Sequence, residues 1–361
     1  MPASPDKPFV LLADPSLYVA CNLRLDTDAG VRDYWLSFFK SHVRTILDLG
    51  TRADRADGKV LADVERRREG CLKDFDAYFD AFAKDPTGHG PVTILTLDQW
   101  RDVILRRHGF IDPMRKLKDA ENEKVLPMLS GVCRKHDERT GHDQLFAIIE
   151  GVFAGNIFDM GAKATASRFT ENGGVDFMET VASVGRKTWH IDEYRPFEDR
   201  MLGGAYRRAV VFIDNAGSDF ILGMTPLCRY LCQQGVEVVI AANEKPTLND
   251  MTVFDVRKWW PRILELVPDL ADLPIEIVST GTAEPLIDLA AVSDELNAAA
   301  EGADLVILEG MGRGVESNLN AEFKVDALNL AMLKDETIAT SIGGQLYDVV
   351  CRFRRGTASP A

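Results

Sequence analysis

The chain has 361 residues, 46% of them hydrophobic, enough to bury a sizeable core in one large domain or two. Its 56 acidic against 42 basic residues give a net charge of −14, which argues against a duplex nucleic-acid partner, because such binding neutralises phosphates with Lys and Arg. No run approaches the roughly 18 to 20 apolar residues of a membrane span, and MPASPDKPFVLLADPS lacks a basic stretch followed by an apolar one. The expectation is a soluble cytoplasmic protein with no membrane partner.

In chain order, residues 1–150 read as a mainly helical domain. Val31, Trp35, Phe38, Phe39, Val43, Ile46 and Leu47 recur at threes and fours, the spacing of an amphipathic helix. Thr51 to Gly70 is dense in both signs of charge and reads as a solvated helix face. The six cysteines are scattered; only Cys228 and Cys232 are close, and with no further Cys or His at zinc spacing they read as a buried helix face.

Residues 151–361 read as an α/β core. Short apolar runs at 209–213, 236–242, 275–278, 304–308 and 346–350 alternate with helical stretches, the pattern of a largely parallel sheet flanked by helices. The C-terminal RRGTASPA reads as a frayed tail. In such sheets ligands bind outside the carboxyl ends of the strands. Here those ends carry Asp214-Asn215, then Asn243 with Lys245 and Asp250, then Ser279 and Gly281, then Glu309-Gly310-Met311-Gly312-Arg313. If the strands are neighbours, Asp214, Asn215 and Asp250 converge, with Lys245 and Arg313 bringing positive charge. Two carboxylates and an amide are hard oxygen donors suited to Mg2+ or Mn2+ beside a phosphate.

Plainer readings compete. Asp214 to Gly217 is also a turn with Asp219 capping the next helix, and Asn249-Asp250 is also a cap for the helix beginning MTVFDV. Residues 310–314 have the wrong spacing for a dinucleotide fingerprint, and GxxxxGK[ST] is absent. Ala216 stands where an aspartyl-nucleophile phosphatase carries a second carboxylate, which favours water as the nucleophile.

FIDNAGSDF, AANEKPTLNDMT and DLVILEGMGRGVESNLNAEFKVDALNLAMLKD, with AGNIFDMGAKAT and GFIDPMRKLKDAENEKVLPML upstream, resemble the damage-control phosphatase family, in the subfamily with an EGMGR motif, over about 97–353. The resemblance implies a metal-dependent phosphomonoesterase acting on a small phosphorylated metabolite, 4′-phosphopantetheine or its oxidised forms, in coenzyme A metabolism. It implies a divalent cation (Mg2+, Mn2+, Ni2+ or Co2+) on Asp214, Asn215 and Asp250. Arg313 and Lys334 then meet charge on the phosphoryl group and Asp219 handles the attacking water. Asn156, Asp159, Asn243, Lys245, Ser279, Gly281 and Glu309, with the Gly310–Gly312 turn and its backbone N–H groups, line the substrate. For Lys334, at the polar end of LNLAML, a solvated helix face is the competing reading. The chain departs from the family pattern at Thr282-Ala283, where an Asn-Asp pair is expected. That departure bears on the exact substrate and makes a sugar-phosphate phosphatase of broad range one alternative; from other classes, an S-adenosylmethionine-dependent carboxyl methyltransferase would use a similar strand-end crevice, and a non-catalytic phosphometabolite-binding protein would keep the pocket.

Overall fold

The computed structural model describes residues 7–157 and 189–358. Three amphipathic helices open it: α1 (Ala29–Ala56), α2 (Leu61–Lys84) and α3 (Ile94–Arg107). The Asp28 carboxylate starts α1 by accepting the Val31 N–H (3.0 Å). Their apolar stripes, including Trp35, Phe39 and Val43 of α1, Phe75, Phe79 and Phe82 of α2, and Leu97 and Leu105 of α3, interlock in one core. The Phe75 and Phe79 rings stack with centroids 4.0 Å apart. Three further helices follow: α4 (Arg115–Val125), α5 (Leu129–Asp137) and α6 (Gly141–Ile157). The helical N-terminal half expected from the sequence is present.

The remainder alternates strands and helices: β1 (Trp189–Asp192), α7 (Tyr194–Leu202), β2 (Arg208–Phe212), α8 (Thr225–Gln233), β3 (Glu237–Ala242), α9 (Val253–Leu266), β4 (Ile275–Ser279), α10 (Asp294–Ala299), β5 (Leu305–Glu309), β6 (Asp326–Met332), α11 (Glu336–Ser341) and β7 (Val349–Arg354). They form one sheet in the order β1-β7-β6-β5-β2-β3-β4. The five strands from β6 to β4 are mutually parallel. β7 runs antiparallel to β6 and parallel to β1.

The period of two along each strand divides the core between the faces of the sheet. Val211, Ile240 and Ile307 pack with Leu129, Leu145 and Phe153 of α5 and α6 on one face. On the other, Phe212, Ala241 and Leu308 meet the N-terminal Phe9 and Leu12, while Ala331 and Val350 join the core of α1, α2 and α3. The helical half therefore touches both faces of the sheet. Cys228 and Cys232 are buried thiols on α8, as expected of a helix face.

Several local expectations need correction. All of LNLAML but its last leucine lies in β6, so the helix-face reading of Lys334 fails: Asp326–Met332 is buried along its whole length between two strands. The last expected strand, 346–350, instead runs Val349–Arg354 and takes in part of the expected tail, with Arg355 paired to the buried Asp326 (3.3 Å). Helix α9 is capped by Thr252, not by Asn249-Asp250: Thr252 Oγ1 accepts the Asp255 N–H (3.1 Å) and Asp255 Oδ2 accepts the Thr252 N–H (3.0 Å).

One buried group ties the α5–α6 contact to pH. His136 of α5 packs against Gly151 of α6, and neither ring nitrogen has a hydrogen-bond partner among the described residues. Burial, followed by Arg139, holds its pKa down to about 4 from the usual 6.5, with Asp137 opposing and Arg229 assisting. The unfolded chain binds this proton more readily, so the contribution is complete above pH 6.5 and is lost as pH falls towards 4, by on the order of 3 kcal/mol. Urea unfolding of His136→Leu should therefore show a flatter stability profile between pH 6.5 and 4 than the unsubstituted protein. Parallel profiles would show that His136 does not set this slope.

Candidate active site

From β2 the chain proceeds to β3 and β4 on one side, then returns to place β5 on the other side of β2. The strand order reverses between β2 and β5, and the crevice at their carboxyl ends is where open α/β sheets bind ligands. Asp214 and Asn215 follow β2 there, and Glu309 ends β5. Two π-helical turns, Asp219–Met224 and Gly312–Ser317, flank this point; such widened turns recur at functional sites. Asp219 is the first residue of the first of these turns, whose N-cap position is held by Ser218.

Asp250, 36 positions beyond Asp214, arrives through backbone pairing. Asn215 and Asp250 form an antiparallel bridge, Met251 N donates to Asp214 O (2.8 Å) and Ala216 N to Asn249 O (2.9 Å). The Arg313 guanidinium then spans the two acids, with Nη1 on Asp214 Oδ1 and Nη2 on Asp250 Oδ2 (2.7 Å). Asn243 holds Asp250 Oδ2 through Nδ2 (3.2 Å), and its own Oδ1 accepts the Thr282 hydroxyl (3.1 Å).

Across the crevice, Asp214, Asp219 and Glu309 are buried and bring carboxylate oxygens within 4.8 Å of one another. Amides hold this group. Asn215 Nδ2 donates to Asp214 Oδ2 (2.8 Å) and Asp219 Oδ2 (3.1 Å). Asn156 Nδ2, from α6, donates to Asp219 Oδ2 (3.1 Å) and Glu309 Oε1 (2.9 Å). Lys334, just beyond β6, donates to the Asn156 carbonyl (3.0 Å).

Asp214, Asp219, Asp250 and Glu309 face Arg313 and Lys334; fully ionised, these four carboxylates would outnumber the two cations by two. Burial pushes the Asp214 carboxyl well above the usual range, with Arg313 pulling it back and Asp250 and Asp219 pushing it further. Burial does the same to Glu309, with Asp219 and Asp214 adding to it. A divalent cation suits this oxygen donor set and would favour the ionised form of the carboxylates.

Other expected site residues fall elsewhere or do different work. Lys245 is exposed, and its backbone N–H donates to Thr282 O (3.3 Å). Ser279 Oγ accepts the Gly281 N–H (3.1 Å), so both shape the turn after β4. The Gly310 N–H is committed to Leu330 O (3.0 Å) and is not a donor to substrate. Met311 Sδ accepts the Lys334 N–H (3.2 Å). A Cβ on Gly312 would lie 2.7 Å from Pro285 O, the carbonyl that also accepts Arg313 Nη1 (3.2 Å). Asp159 lies outside the described residues. Glu309, expected to line the substrate, belongs to the carboxylate group; an acid closing a fully apolar strand was the signal, the same one that marked Asp214.

An open, mainly parallel sheet with buried carboxylates, amides and an arginine at its switch point is the framework of an α/β enzyme for a small polar ligand. Residues 54–350 match the family model of the damage-control phosphatase ARMT1-like domain, and the chain belongs to that family. The match starts well before Leu97 and takes in most of the helical half.

Among curated relatives, the chain is 34% identical to a damage-control phosphatase of Arabidopsis thaliana, over 88% of this chain and 87% of that protein. It is 33% identical to pantothenate kinase 2 of the same plant, over 96% of this chain and 41% of the kinase. It is 28% identical to the 4′-phosphopantetheine phosphatase of Mus musculus, over 95% of this chain and 48% of that protein. The chain thus spans less than half the length of the last two. A DUF89 family protein from Pyrococcus horikoshii shares the fold, with a TM-score of 0.63 at 18% identity over 89% of this chain and 97% of that one. No helix among the described residues is long and apolar enough to cross a membrane.

Gly310 fixes how closely β5 approaches Asp214. Its φ is +96°, and a Cβ there would stand 2.1 Å from Asp214 Oδ2. Gly310→Ala should displace the Asp214 carboxylate and lower turnover on the order of 100-fold, as an ångström-scale misplacement does, with secondary structure retained by circular dichroism. Activity within a few-fold of wild type would show that this contact yields without consequence.

Proposed function

We propose that the chain is a metal-dependent phosphatase of small phosphomonoesters, with 4′-phosphopantetheine and its oxidised forms as favoured substrates, acting in metabolite damage control. Family membership and the name of the mouse relative support the reaction class and the substrate. The observation that carries the reading is the buried carboxylate group around Asp214, the acid common to the Asp214–Asp219–Glu309 group and to the Asp214–Asp250 pair spanned by Arg313.

Asp214, Asn215 and Asp250 hold the cation. Asn215 turns its amide nitrogen to the carboxylates, and its oxygen is the atom chemically suited to a metal. When bound, the cation supplies Lewis acidity and a water of lowered pKa. Asp219, with Oδ2 held by Asn156 and Asn215, would be the group to orient an attacking water and accept a proton. Arg313 is gripped by Asp214 and Asp250, and Lys334 by Asn156 O, so both cations are fixed in advance where negative charge builds on the phosphoryl oxygens. Glu309 keeps Asn156 and the Asp214 backbone N–H in register.

The loop after β4 touches this machinery through Thr282 and Pro285. The Thr282 hydroxyl is spent on Asn243, and Ala283 has no polar group to offer. A site that lacks donors and acceptors for substrate amides tolerates analogues. We therefore place sugar phosphates within its range.

Phosphate release from 4′-phosphopantetheine should require added Mn2+ or Mg2+ and vanish reversibly with EDTA. Arg313→Ala should cost roughly 2 to 4 kcal/mol of transition-state stabilisation, and Arg313→Lys should recover only part, since an ammonium cannot span two carboxylates as the planar fork does. Full activity in metal-stripped protein, or wild-type kinetics for the Ala variant, would overturn the reading.

Substrate range has its own test. Thr282→Asn with Ala283→Asp should raise the ratio of kcat/KM for phosphopantetheine over a sugar phosphate, at unchanged metal requirement. An unchanged ratio would remove this loop from substrate selection.

A further inference from the structure

Arg101, on α3, is among the largest fully buried side chains of the protein and belongs to none of the motifs described above. Its guanidinium spends each arm on a different partner. Nη1 donates to Asp98 Oδ1 (2.5 Å), Nε to Asp102 Oδ1 (2.9 Å) and Nη2 to Thr247 Oγ1 (3.0 Å). The first two partners lie on α3 itself. The third lies on the loop between β3 and α9 that carries Asp250. Arg106, one turn and a half further along α3, donates to Pro246 O of the same loop (3.0 Å).

The loop needs this support. Leu248 sits at φ +40°, a left-handed conformation that a branched side chain adopts at a cost, and its side chain packs onto the core of α1, α2 and α3. Thr247 in turn accepts the Asp250 N–H through its carbonyl (3.1 Å). A continuous path therefore runs from Arg101 Nη2 to the Thr247 hydroxyl, along the Thr247 carbonyl to the Asp250 amide, and from Asp250 Oδ2 to Arg313.

We infer that Arg101 is a positioning residue that sets Asp250 in the crevice, making α3 a working part of the site. The inference rests on the proposed role of Asp250 in holding the cation and Arg313. Two carboxylates on α3 already neutralise the guanidinium, so its third arm serves as a directional tether. The planar fork matters: an ammonium in its place carries the charge but cannot reach Asp98, Asp102 and Thr247 in three fixed directions.

Thr247→Val isolates the tether, since it removes the hydroxyl while leaving the Arg101–Asp98–Asp102 group and nearly the same volume. Arg101→Lys is the second variant. Both are compared with wild type by thermal melting, by amide hydrogen exchange over residues 244–250 without metal, and by calorimetric titration with Mn2+. In folded Thr247→Val the Asp250 amide should exchange at least tenfold faster, and Mn2+ affinity should fall about 10- to 100-fold, the usual cost of losing a partner that orients a ligand. Arg101→Lys should shift both in the same direction. Exchange and Mn2+ affinity both unchanged in folded Thr247→Val would overturn the inference. A wild-type protein that binds no Mn2+ would instead refute the functional reading, and the exchange data would still decide whether Arg101 sets the loop.

Discussion

Burying Asp214, Asp219, Asp250 and Glu309 around one point is the constraint to which the rest of the site answers. Like charges in a poorly solvated space cannot all stay ionised without compensation. Arg313 spans two of them, Lys334 lies opposite, and Asn156, Asn215 and Asn243 turn their amide nitrogens towards carboxylate oxygens. Gly310 exists as glycine because Asp214 occupies the space a Cβ would need. Each of these features is costly or pointless if the acids are removed, and it is this arrangement that the proposed function reads as a place for a divalent cation and a phosphate.

The topology brings these groups together from distant parts of the chain. Parallel strands put all their carboxyl ends on one edge, and the reversal between β2 and β5 opens a gap there instead of a closed surface. Asn156 reaches the gap from α6, whose Gly155 backbone lies so close to Ser218 O that a Cβ would stand 2.8 Å away. From α3, Arg101 and Arg106 hold the loop after β3. The helical half shares the apolar cores on both faces of the sheet, so it braces the edge that carries the candidate site.

The strand-end residues were readable because the contrast between a β-branched run and an acid or amide is local. Asp214, Asn243 and Glu309 each close such a run, and their strands prove to be neighbours. What was not readable depends on order and depth. Sequence spacing cannot show that β5 inserts beside β2, so it could not place Glu309 against Asp214. It placed Lys245 in the site from its position near Asn243, although that side chain is exposed. β6 was missed because Asn329 interrupts its apolar character; the structure satisfies that amide on Gly314 O (2.7 Å) of the turn that carries Arg313. Arg101 sits in a helix with acidic and basic neighbours on either side, and nothing in its spacing distinguishes a buried tether from a solvated face.

The most direct test of the account is an anomalous-difference map from a crystal of the protein soaked in Mn2+. A peak is expected at the carboxyl edge between β2 and β5, within coordinating distance of Asp214, Asn215 and Asp250. A fully soaked crystal with no peak at Asp214, or with Mn2+ bound only elsewhere, would contradict it.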